Sequence, residues 1–377
     1  MKKNILGSVI LLGLLSACSD SFLDSTPHEF TDAIFWKNAA QAELALGGVY
    51  TPLQDEEALG GEEWCGMEAF SDIGYMNDNY SDFIAMNEFR AVQNTENDLS
   101  LNSYVSYYKV IKRANDVLYN VPNISIDESQ KKRILGEANF LMAFAYFNLA
   151  NRYGGVPIYD PINAESALVR ASEEAVWDLI ISSLTTATGQ LSLQHEEGRP
   201  GLGATWGLLA KVFAYQKKWP ECKQAAEQVI NSGKHSLYPV YSDLFTIEHD
   251  NESELLWVLG ARRGENPLTS TLYLPNDVWG GTHNEELGAG WRLVSATNAF
   301  YDSYQPDDKR KAATLAKRDV DRVTYHRSTD LIKIPNNQSA VVCIKFMQPY
   351  KEQYTGWGPG LNIPALRYAD ILLLHAE

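Results

Sequence analysis

The sequence predicts a mostly α-helical fold of tetratricopeptide-like helical pairs, joined to a long irregular, aromatic-rich subdomain with a few short strands. Three observations support this prediction. A nearly all-apolar helical stretch lies at 137–153, a repeat-like helical pair lies at 209–230, and residues 235–362 lose helical periodicity. The chain has 377 residues, 45% of them hydrophobic, which is enough for one large core or two moderate ones.

The stretch 137–159, EANFLMAFAYFNLANRYGGVPIY, is predicted to contain the central helix of the core. Between residues 138 and 150 the only polar side chains are two asparagines, so this helix is apolar nearly all round and must be buried on most sides. It should end at Gly154 and Gly155, because helices commonly close on a residue with positive φ and Pro157 cannot continue the helix.

Other stretches with helical periodicity are predicted to pair along the chain. A helix at 38–53 should pair with one at 104–121, across a non-periodic insertion at 56–102. The central helix at 137–153 should pair with one at 173–189. A loop as long as 56–102 is uncommon in a compact domain and is usually functional.

The stretch 209–230, LAKVFAYQKKWPECKQAAEQVI, fits a tetratricopeptide repeat. Leu209 and Ala210 take the small-residue pair of the first helix, and Trp219 takes the aromatic position at the turn. Small side chains let paired helices approach closely, and the turn aromatic is expected to close the end of the pair. With the two earlier pairs this makes three, about the minimum for a stable stack.

Residues 235–362, rich in Tyr, Trp, Gly, Asn and Pro, are expected to form an irregular subdomain packed on the helical stack. Short strand-like runs lie at 255–259 and 340–346, and helical pattern returns at 364–377. Four tryptophans in periodic elements are predicted to be core residues: Trp177, Trp206, Trp219 and Trp257.

The N-terminus has the pattern of an export signal. Two lysines precede an apolar run at 5–15, and Ser-Ala and then Cys18 follow, so residues 1–17 are predicted to be a signal peptide. The run is shorter than the roughly 20 residues that a membrane-spanning helix needs. The order Leu-Ser-Ala-Cys resembles a bacterial lipobox, which makes Cys18 the predicted lipidation site. Cleavage by an ordinary signal peptidase is the alternative.

The chain is strongly acidic, with a formal net charge of −16 that becomes −18 when the two lysines of the leader are removed. An acidic surface repels phosphate backbones, which argues against nucleic acid as a partner. Besides Cys18 the cysteines are Cys65, Cys222 and Cys343, an odd number at unrelated spacings, so at most one disulfide can form.

No sequence motif indicates an enzyme, and no cofactor is predicted. The histidines are never closer than 14 residues apart, and there is no GxSxG elbow, Walker loop or dinucleotide fingerprint. Acidic pairs such as Glu62-Glu63 have the groups a glycosidase needs, but 48 acidic residues produce such pairs by chance. The cluster Asn77-Asp78-Asn79 offers oxygen ligands suited to calcium, yet it lacks the EF-hand spacing and is interpreted as a solvated turn.

Aromatic residues in the non-periodic stretches point to a sugar-binding site. Sugar rings pack their C–H faces on exposed indole and phenol rings, while adjacent Asp, Asn and Arg groups hydrogen-bond the hydroxyls. For any one of these rings, half-buried packing under a loop is an equally good interpretation. The predicted ligand-binding residues are Trp64, Asp72, Tyr75, Asn77, Asp78, Trp279, Trp291 and Arg292.

Three stretches resemble the SusD-like (RagB/SusD) outer-membrane lipoproteins. They are EANFLMAFAYFNLANRYGGVPI at 137–158, GRPGLGATWGLLAKVFAYQKKW at 198–219 and IPALRYADILLLHAE at 363–377. The first matches the family pattern RGEAxFLRAFxYFxLxRxYGGVPL, and the resemblance covers nearly the whole mature chain.

This resemblance implies a lipid-anchored protein on the outer face of the outer membrane. It implies capture of an oligosaccharide and its transfer, uncleaved, to a SusC-like TonB-dependent transporter, with the helical stack facing the transporter. Asp72, in AFSDIGY, matches the family's SD step, which makes it the strongest individual site prediction. The family also includes peptide-capturing members, which is the alternative function, and a glycoside hydrolase is a third hypothesis. Family members continue beyond RYADILLLHAE, so the chain is expected to be truncated.

The predicted organisation combines these elements in chain order. It consists of a signal peptide (1–17), a tether (18–35), a helical domain (36–234) with its insertion (56–102), an irregular ligand-binding subdomain (235–362) and the start of a C-terminal helix (363–377).

Overall fold

A computed structural model of the chain describes residues 35–54, 58, 71–76, 89, 98–161, 169–260, 294–317, 322–324, 331–333, 341–343, 345–346 and 361–377. Most of this part is helical, and the strands are few and short. The predicted mostly α-helical fold class is therefore confirmed. The predicted domain boundaries stay predictions.

The helices between residues 39 and 231 pack consecutively on one another, and the three predicted pairs are all in contact. The described helices are α1 (Ala39–Tyr50), α2 (Asp98–Asn120), α3 (Glu128–Tyr153), α4 (Glu173–Thr188), α5 (Leu202–Tyr215), α6 (Trp219–Asn231), α7 (Asn298–Ser303), α8 (Lys309–Thr314) and α9 (Tyr368–Ala376).

The ends of α3 follow from its sequence. Asp127 caps its start by accepting hydrogen bonds from the backbone N–H groups of Ser129 and Gln130. The helix ends where Gly154 takes φ +69°, and the Gly154 N–H closes the last turn on the carbonyl of Ala150, at 2.9 Å. The central helix is thus longer at its start than the apolar stretch that predicted it.

The turn after α3 is packed tightly against the segment that precedes α4. A Cβ on Gly155 would lie 2.2 Å from the carbonyl oxygen of Ala171, so only glycine fits there. The Arg170 side chain donates to the carbonyls of Gly155 and Tyr153, each at 2.6 Å. This turn therefore joins α3 rigidly to α4.

The large hydrophobic core surrounds α3, which is buried on nearly all sides as predicted. A tryptophan from a strand completes it. Trp257 packs edge-to-face on Phe140 and Phe144, with ring centroids 4.9 Å apart in both pairs. A strand within the span predicted as irregular is therefore part of the helical core.

The described strands form three small antiparallel sheets, in the orders β1-β3-β7-β4, β2-β8 and β5-β6. The predicted strand at 255–259 is present, and the run at 340–346 contains β7. The strands are β1 (Gly74–Met76), β2 (Leu255–Leu259), β3 (Val294–Ala296), β4 (Leu315–Lys317), β5 (Arg322–Thr324), β6 (Leu331–Lys333), β7 (Val341–Cys343) and β8 (Ile363–Arg367).

One of the four tryptophans predicted to be core residues is not in the core. Trp177 and Trp257 are buried and Trp206 packs half-buried against the core, but Trp219 is 40% exposed. Trp219 is the first residue of α6. A helical side chain covers the turn before its own Cα, and no such turn exists at the first position, so this ring extends beyond the helix into solvent.

Two cysteines lie in the described part, Cys222 buried and Cys343 partly buried. Cys18 and Cys65 lie outside the described residues. None of the helices described in the structure combines the length and the apolar character needed to cross a membrane.

Candidate ligand-binding site

Two of the predicted ligand residues lie in the described part. Asp72 is exposed in the bend that precedes β1, and Tyr75 lies within β1. The other predicted site residues lie outside the described residues: Trp64, Asn77, Asp78, Trp279, Trp291 and Arg292.

Strand β1 pairs with β3, a strand more than 200 residues further along the chain. The register places Tyr75 opposite Ser295 and Met76 opposite Val294. The ladder extends by one bond, in which the Thr297 N–H donates to the carbonyl of Ile73 at 2.9 Å. Asp72 therefore lies beside a backbone ladder that joins the two aromatic-rich stretches of the sequence.

A hydrogen bond also joins the 3₁₀ turn that follows α1, Thr51–Gln54, to the residue that follows β2. The side-chain amide of Gln54 donates to the carbonyl of Gly260 at 2.6 Å. The predicted insertion 56–102 begins shortly after Gln54, and Gly260 lies within the predicted subdomain 235–362. Gly198, with φ +75°, lies near Gly260, since a Cβ on it would be in ordinary van der Waals contact with the Gly260 backbone, at 3.7 Å.

A buried carboxylate lies beside Tyr50, the last residue of α1. Glu137 of α3 is 1% exposed and accepts hydrogen bonds from three side chains. The donors are the Tyr50 hydroxyl at 2.6 Å, the Arg133 guanidinium at 2.6 Å and the Arg199 guanidinium at 2.8 Å. Glu43 also pairs with both arginines, and the exposed Glu196 pairs with Arg199, so three carboxylates surround the two guanidinium groups.

The electrostatics of this cluster keep its charges in place. Burial raises the pKa of Tyr50 well above its ordinary value, and the Glu137 charge adds to this effect, so the phenol stays a donor. Burial opposes the charge of Arg199, but the Glu137 carboxylate outweighs it and raises the pKa of Arg199. The same balance raises the pKa of Arg133.

Sequence reasoning missed this cluster. Its partners come from distant positions, since Tyr50 lies 87 residues and Arg199 lies 62 residues from Glu137. One signal was available: Glu137 is a charged residue at the head of an otherwise apolar run, and a buried acid needs partners.

A cavity of about 350 Å³ opens between the first turns of α3 and the loop between α4 and α5. Glu137 and Arg133 contribute to its wall. Most of its lining residues are polar and, among the described residues, they include no Phe, Tyr or Trp, so the cavity lacks the platform that sugar rings pack on. The other polar lining groups include Ser129, Lys132, Gln190, Gln194, His195 and Glu196.

Within the ranges that the structure describes, no three His, Cys, Asp or Glu side chains come together as a metal site would require.

Comparison with known proteins identifies the family. The sequence profile of a SusD-like family, described as "Starch-binding associating with outer membrane", matches residues 22–214, just over half of the chain. The chain belongs to the SusD-like family. This agrees with the resemblance seen in the sequence, and the family is one that associates with the outer membrane.

Individual relatives agree with this assignment. A SusD-like protein of Bacteroides ovatus is 29% identical over 313 residues, which cover 75% of this chain and 55% of the relative. The chain thus spans about half the length of the curated relatives it matches.

Two solved structures share the fold. A laminarin-binding SusD-like protein has a TM-score of 0.73 at 23% identity, covering 90% of this chain and 80% of the other. A protein crystallised with a xylogluco-oligosaccharide has a TM-score of 0.72 at 22% identity, covering 89% of this chain and 70% of the other.

Proposed function

We propose that this chain belongs to a surface glycan-binding lipoprotein that captures an oligosaccharide without cleaving it. The observation that carries the proposal is the β1–β3 ladder, which joins two aromatic-rich stretches next to the exposed carboxylate of Asp72. Membership of a family described as starch-binding supports it, as do the laminarin-binding protein and the xylogluco-oligosaccharide complex with this fold.

In the proposed site, aromatic rings and polar groups make different contacts with the sugar. Trp64, Tyr75, Trp279 and Trp291 supply flat surfaces for the C–H faces of sugar rings. Carboxylate and amide oxygens accept hydrogen bonds from the hydroxyls, and a guanidinium donates to ring and hydroxyl oxygens. The polar residues proposed for these contacts are Asp72, Asn77, Asp78 and Arg292. These proposed contacts require no metal or cofactor.

The proposed partner is a SusC-like TonB-dependent transporter that receives the captured glycan. The stacked helices supply an extended surface for that contact. Cys18 carries the lipid that holds the protein to the outer membrane, facing the cell exterior. Replacing Cys18 by Ala should abolish labelling with a fatty-acid probe and move the protein out of the membrane fraction. If labelling persists in the C18A variant, the lipidation proposal is wrong.

Affinity electrophoresis of the full-length protein in gels that contain single polysaccharides tests glycan binding. Retardation is expected with one or two polysaccharides of a plant, host and microbial panel, and Trp64→Ala or Trp279→Ala should abolish it. The matched control is Trp219→Ala, which removes an exposed indole from the helical stack and should leave retardation unchanged. A chelator in the gel should change nothing.

The alternatives predict different results. Capture of a cationic peptide by this acidic protein predicts binding that weakens steeply with salt, because exposed charges are screened. A glycoside hydrolase would release reducing ends from the retarding polysaccharide. Protein that is retarded by no polysaccharide would contradict the glycan proposal and favour peptide capture.

A further inference from the structure

Strand β3, which forms the ladder with β1, also pairs with β7. Ser295 of β3 lies opposite Tyr75 of β1 on one side and opposite Val342 of β7 on the other. β7 ends at Cys343, and a turn that contains Lys345 follows it. A contact that fixes this turn therefore also holds the strand on which β1 pairs.

The ammonium group of Lys345 lies among three aromatic rings. Its Nζ atom is 4.3 Å from the centroid of the Phe245 ring, 5.5 Å from that of Phe346 and 5.9 Å from that of Tyr241. Phe245 and Phe346 are buried and pack edge-to-face, with centroids 5.5 Å apart. A cation this close to ring faces is attracted by their negative charge. These three rings are called the aromatic cage below.

Two rings of the cage, Tyr241 and Phe245, lie between α6 and β2 and are tied to the large hydrophobic core. The Cζ atom of Arg367, at the end of β8, is 5.6 Å from the Phe245 centroid and 6.0 Å from the Tyr241 centroid. Arg367 also donates at 2.8 Å to the buried carboxylate of Glu254, which directly precedes β2. The other oxygen of Glu254 accepts the backbone N–H of Tyr238 at 2.8 Å. Because β2 and β8 belong to the large core, the cage is anchored there.

A second contact crosses between the same two parts of the molecule. Tyr304 packs against a separate cluster of four buried side chains in β3, α7, β4 and β7. Burial raises the pKa of Tyr304, and the nearby phenol of Tyr241 adds to the shift. None of the four buried side chains belongs to the large core, so few apolar contacts hold this sheet. Contacts at the cage should therefore contribute much to its position.

We infer that Lys345 is a positioning residue for the ligand site: its ammonium, held by the aromatic cage, fixes β7 on the large core and thereby holds β3 in place for pairing with β1. This inference rests on the proposed function only in regarding the β1–β3 ladder as part of the ligand site. The ladder itself can be observed without any ligand.

Hydrogen exchange of the full-length protein, without glycan, measures the ladder directly. Lys345→Gln removes the charge and keeps a flexible polar side chain. It should speed exchange of the amides at 73–76 and 294–297 by about fivefold, the effect expected for losing one cation–ring interaction. Lys345→Arg keeps a cation that stacks on aromatic faces and should restore the slow exchange. Exchange of the α3 amides should stay unchanged in both variants, because the large core is intact.

The matched control is Lys311→Gln. The Nζ atom of Lys311 lies 3.8 Å from the centroid of the Tyr301 ring, so the same kind of contact is lost away from the cage. Ladder exchange should keep its wild-type rate in this variant. Equal acceleration in the Lys345→Gln and Lys311→Gln variants, or unchanged exchange in Lys345→Gln, would overturn the inference. So would equal acceleration in Lys345→Arg, or acceleration of the α3 amides by the same factor as the ladder.

Glycan affinity provides the second readout, by titration calorimetry with the polysaccharide that retards the protein. Affinity should fall about fivefold in the Lys345→Gln variant and stay unchanged in the Lys345→Arg and Lys311→Gln variants. If the wild-type protein binds no glycan, the proposed function fails while the exchange experiment still decides whether Lys345 holds the ladder. If affinity falls but exchange does not change, or exchange speeds but affinity does not change, glycan binding stands and the positioning role is wrong.

Discussion

Within the part of the chain that the structure describes, two hydrophobic cores differ greatly in size. The large one surrounds α3 and extends from α1 to α9, and it includes side chains of β2 and β8. The small one joins β3, α7, β4 and β7 through four buried side chains, Ala296, Tyr301, Leu315 and Val341. Apolar area removed from water drives folding, so most of the stability belongs to the large core.

The candidate ligand site lies on the side of the small core, since β3 contributes both to that core and to the ladder with β1. Local opening takes less free energy where fewer apolar contacts must break. The comparison therefore predicts that substitutions in the large core act on global stability, whereas substitutions near β1 act on binding.

The largest expected effect is that of Trp257→Ala. The indole is 1% exposed and packs on two phenylalanine rings, so its loss should lower the free energy of unfolding by about 3–5 kcal/mol. Urea unfolding of the folded chain measures this change. Trp219→Ala, at an exposed ring, should change it by less than about 0.5 kcal/mol. A small change in the free energy of unfolding for Trp257→Ala would show that β2 contributes little to the stability of the large core.

The next largest effect on the free energy of unfolding is expected for a substitution in the rigid turn between α3 and α4. In Gly155→Ala, the new methyl group would meet the backbone oxygen of Ala171, which cannot move without shifting α4. The expected loss is about 1–3 kcal/mol. The matched change Gly47→Ala lies in α1 with no atom within 4 Å of the added Cβ, so helix propensity should stabilise it by about 0.5–1 kcal/mol. Urea unfolding should therefore show a lower free energy of unfolding for Gly155→Ala and a higher one for Gly47→Ala. Changes of the same sign in both variants would contradict this account of the turn.

The helical part of the fold was predictable from the sequence because its information is local. An apolar run, an Asp cap and a Gly-Gly stop lie within the segment 127–155 and specify α3 without reference to other residues. The exposure of Trp219 was missed because the repeat pattern gives its position in the helix but not what covers its side chain.

The candidate site was predictable only in part. The aromatic composition of the insertions and Asp72 were visible, but β1 and β3 have three residues each and pair across more than 200 positions. Such short strands carry no periodic pattern, and their pairing depends on the tertiary structure that brings them together. The same holds for Glu137, whose partners are scattered along the chain.

A pH experiment sharpens the comparison at Asp250, which accepts the backbone N–H of Asn362 just before β8. Burial raises the pKa of Asp250 from 3.8 to about 6, and the Glu197 charge adds to the shift. The folded protein therefore holds this proton more tightly than the unfolded chain. The resulting stabilisation is complete below about pH 4 and is lost as the pH rises through about 6.

Replacing Asp250 by Asn removes this titration while keeping an oxygen that accepts from Asn362. After allowance for solvent screening of a half-buried group, the free energy of unfolding at pH 7 should rise by about 1 kcal/mol. The gain over the wild-type protein should vanish near pH 4. Urea unfolding at both pH values measures it, and a gain that is equal at both would show that the charge of Asp250 is not its cause.

The smallest effect on stability, combined with a clear effect on binding, is expected for Asp72→Asn. Asp72 is exposed, so the free energy of unfolding should change by less than about 0.5 kcal/mol. A hydrogen bond to a charged group contributes about 1.5–3 kcal/mol, so loss of the carboxylate should weaken glycan binding by about tenfold or more. Calorimetric titration and urea unfolding of the same preparation measure both quantities.

Asp178→Asn is the matched control for that variant, because Asp178 is exposed on α4, within the large-core region. It removes the same charge and should leave both stability and affinity unchanged. Equal weakening in the two variants would mean that net charge, rather than a contact at β1, governs binding. Unchanged affinity in the Asp72 variant would show that Asp72 is not part of the site. Weaker binding with unchanged stability would support the prediction that substitutions near β1 act on binding and not on global stability.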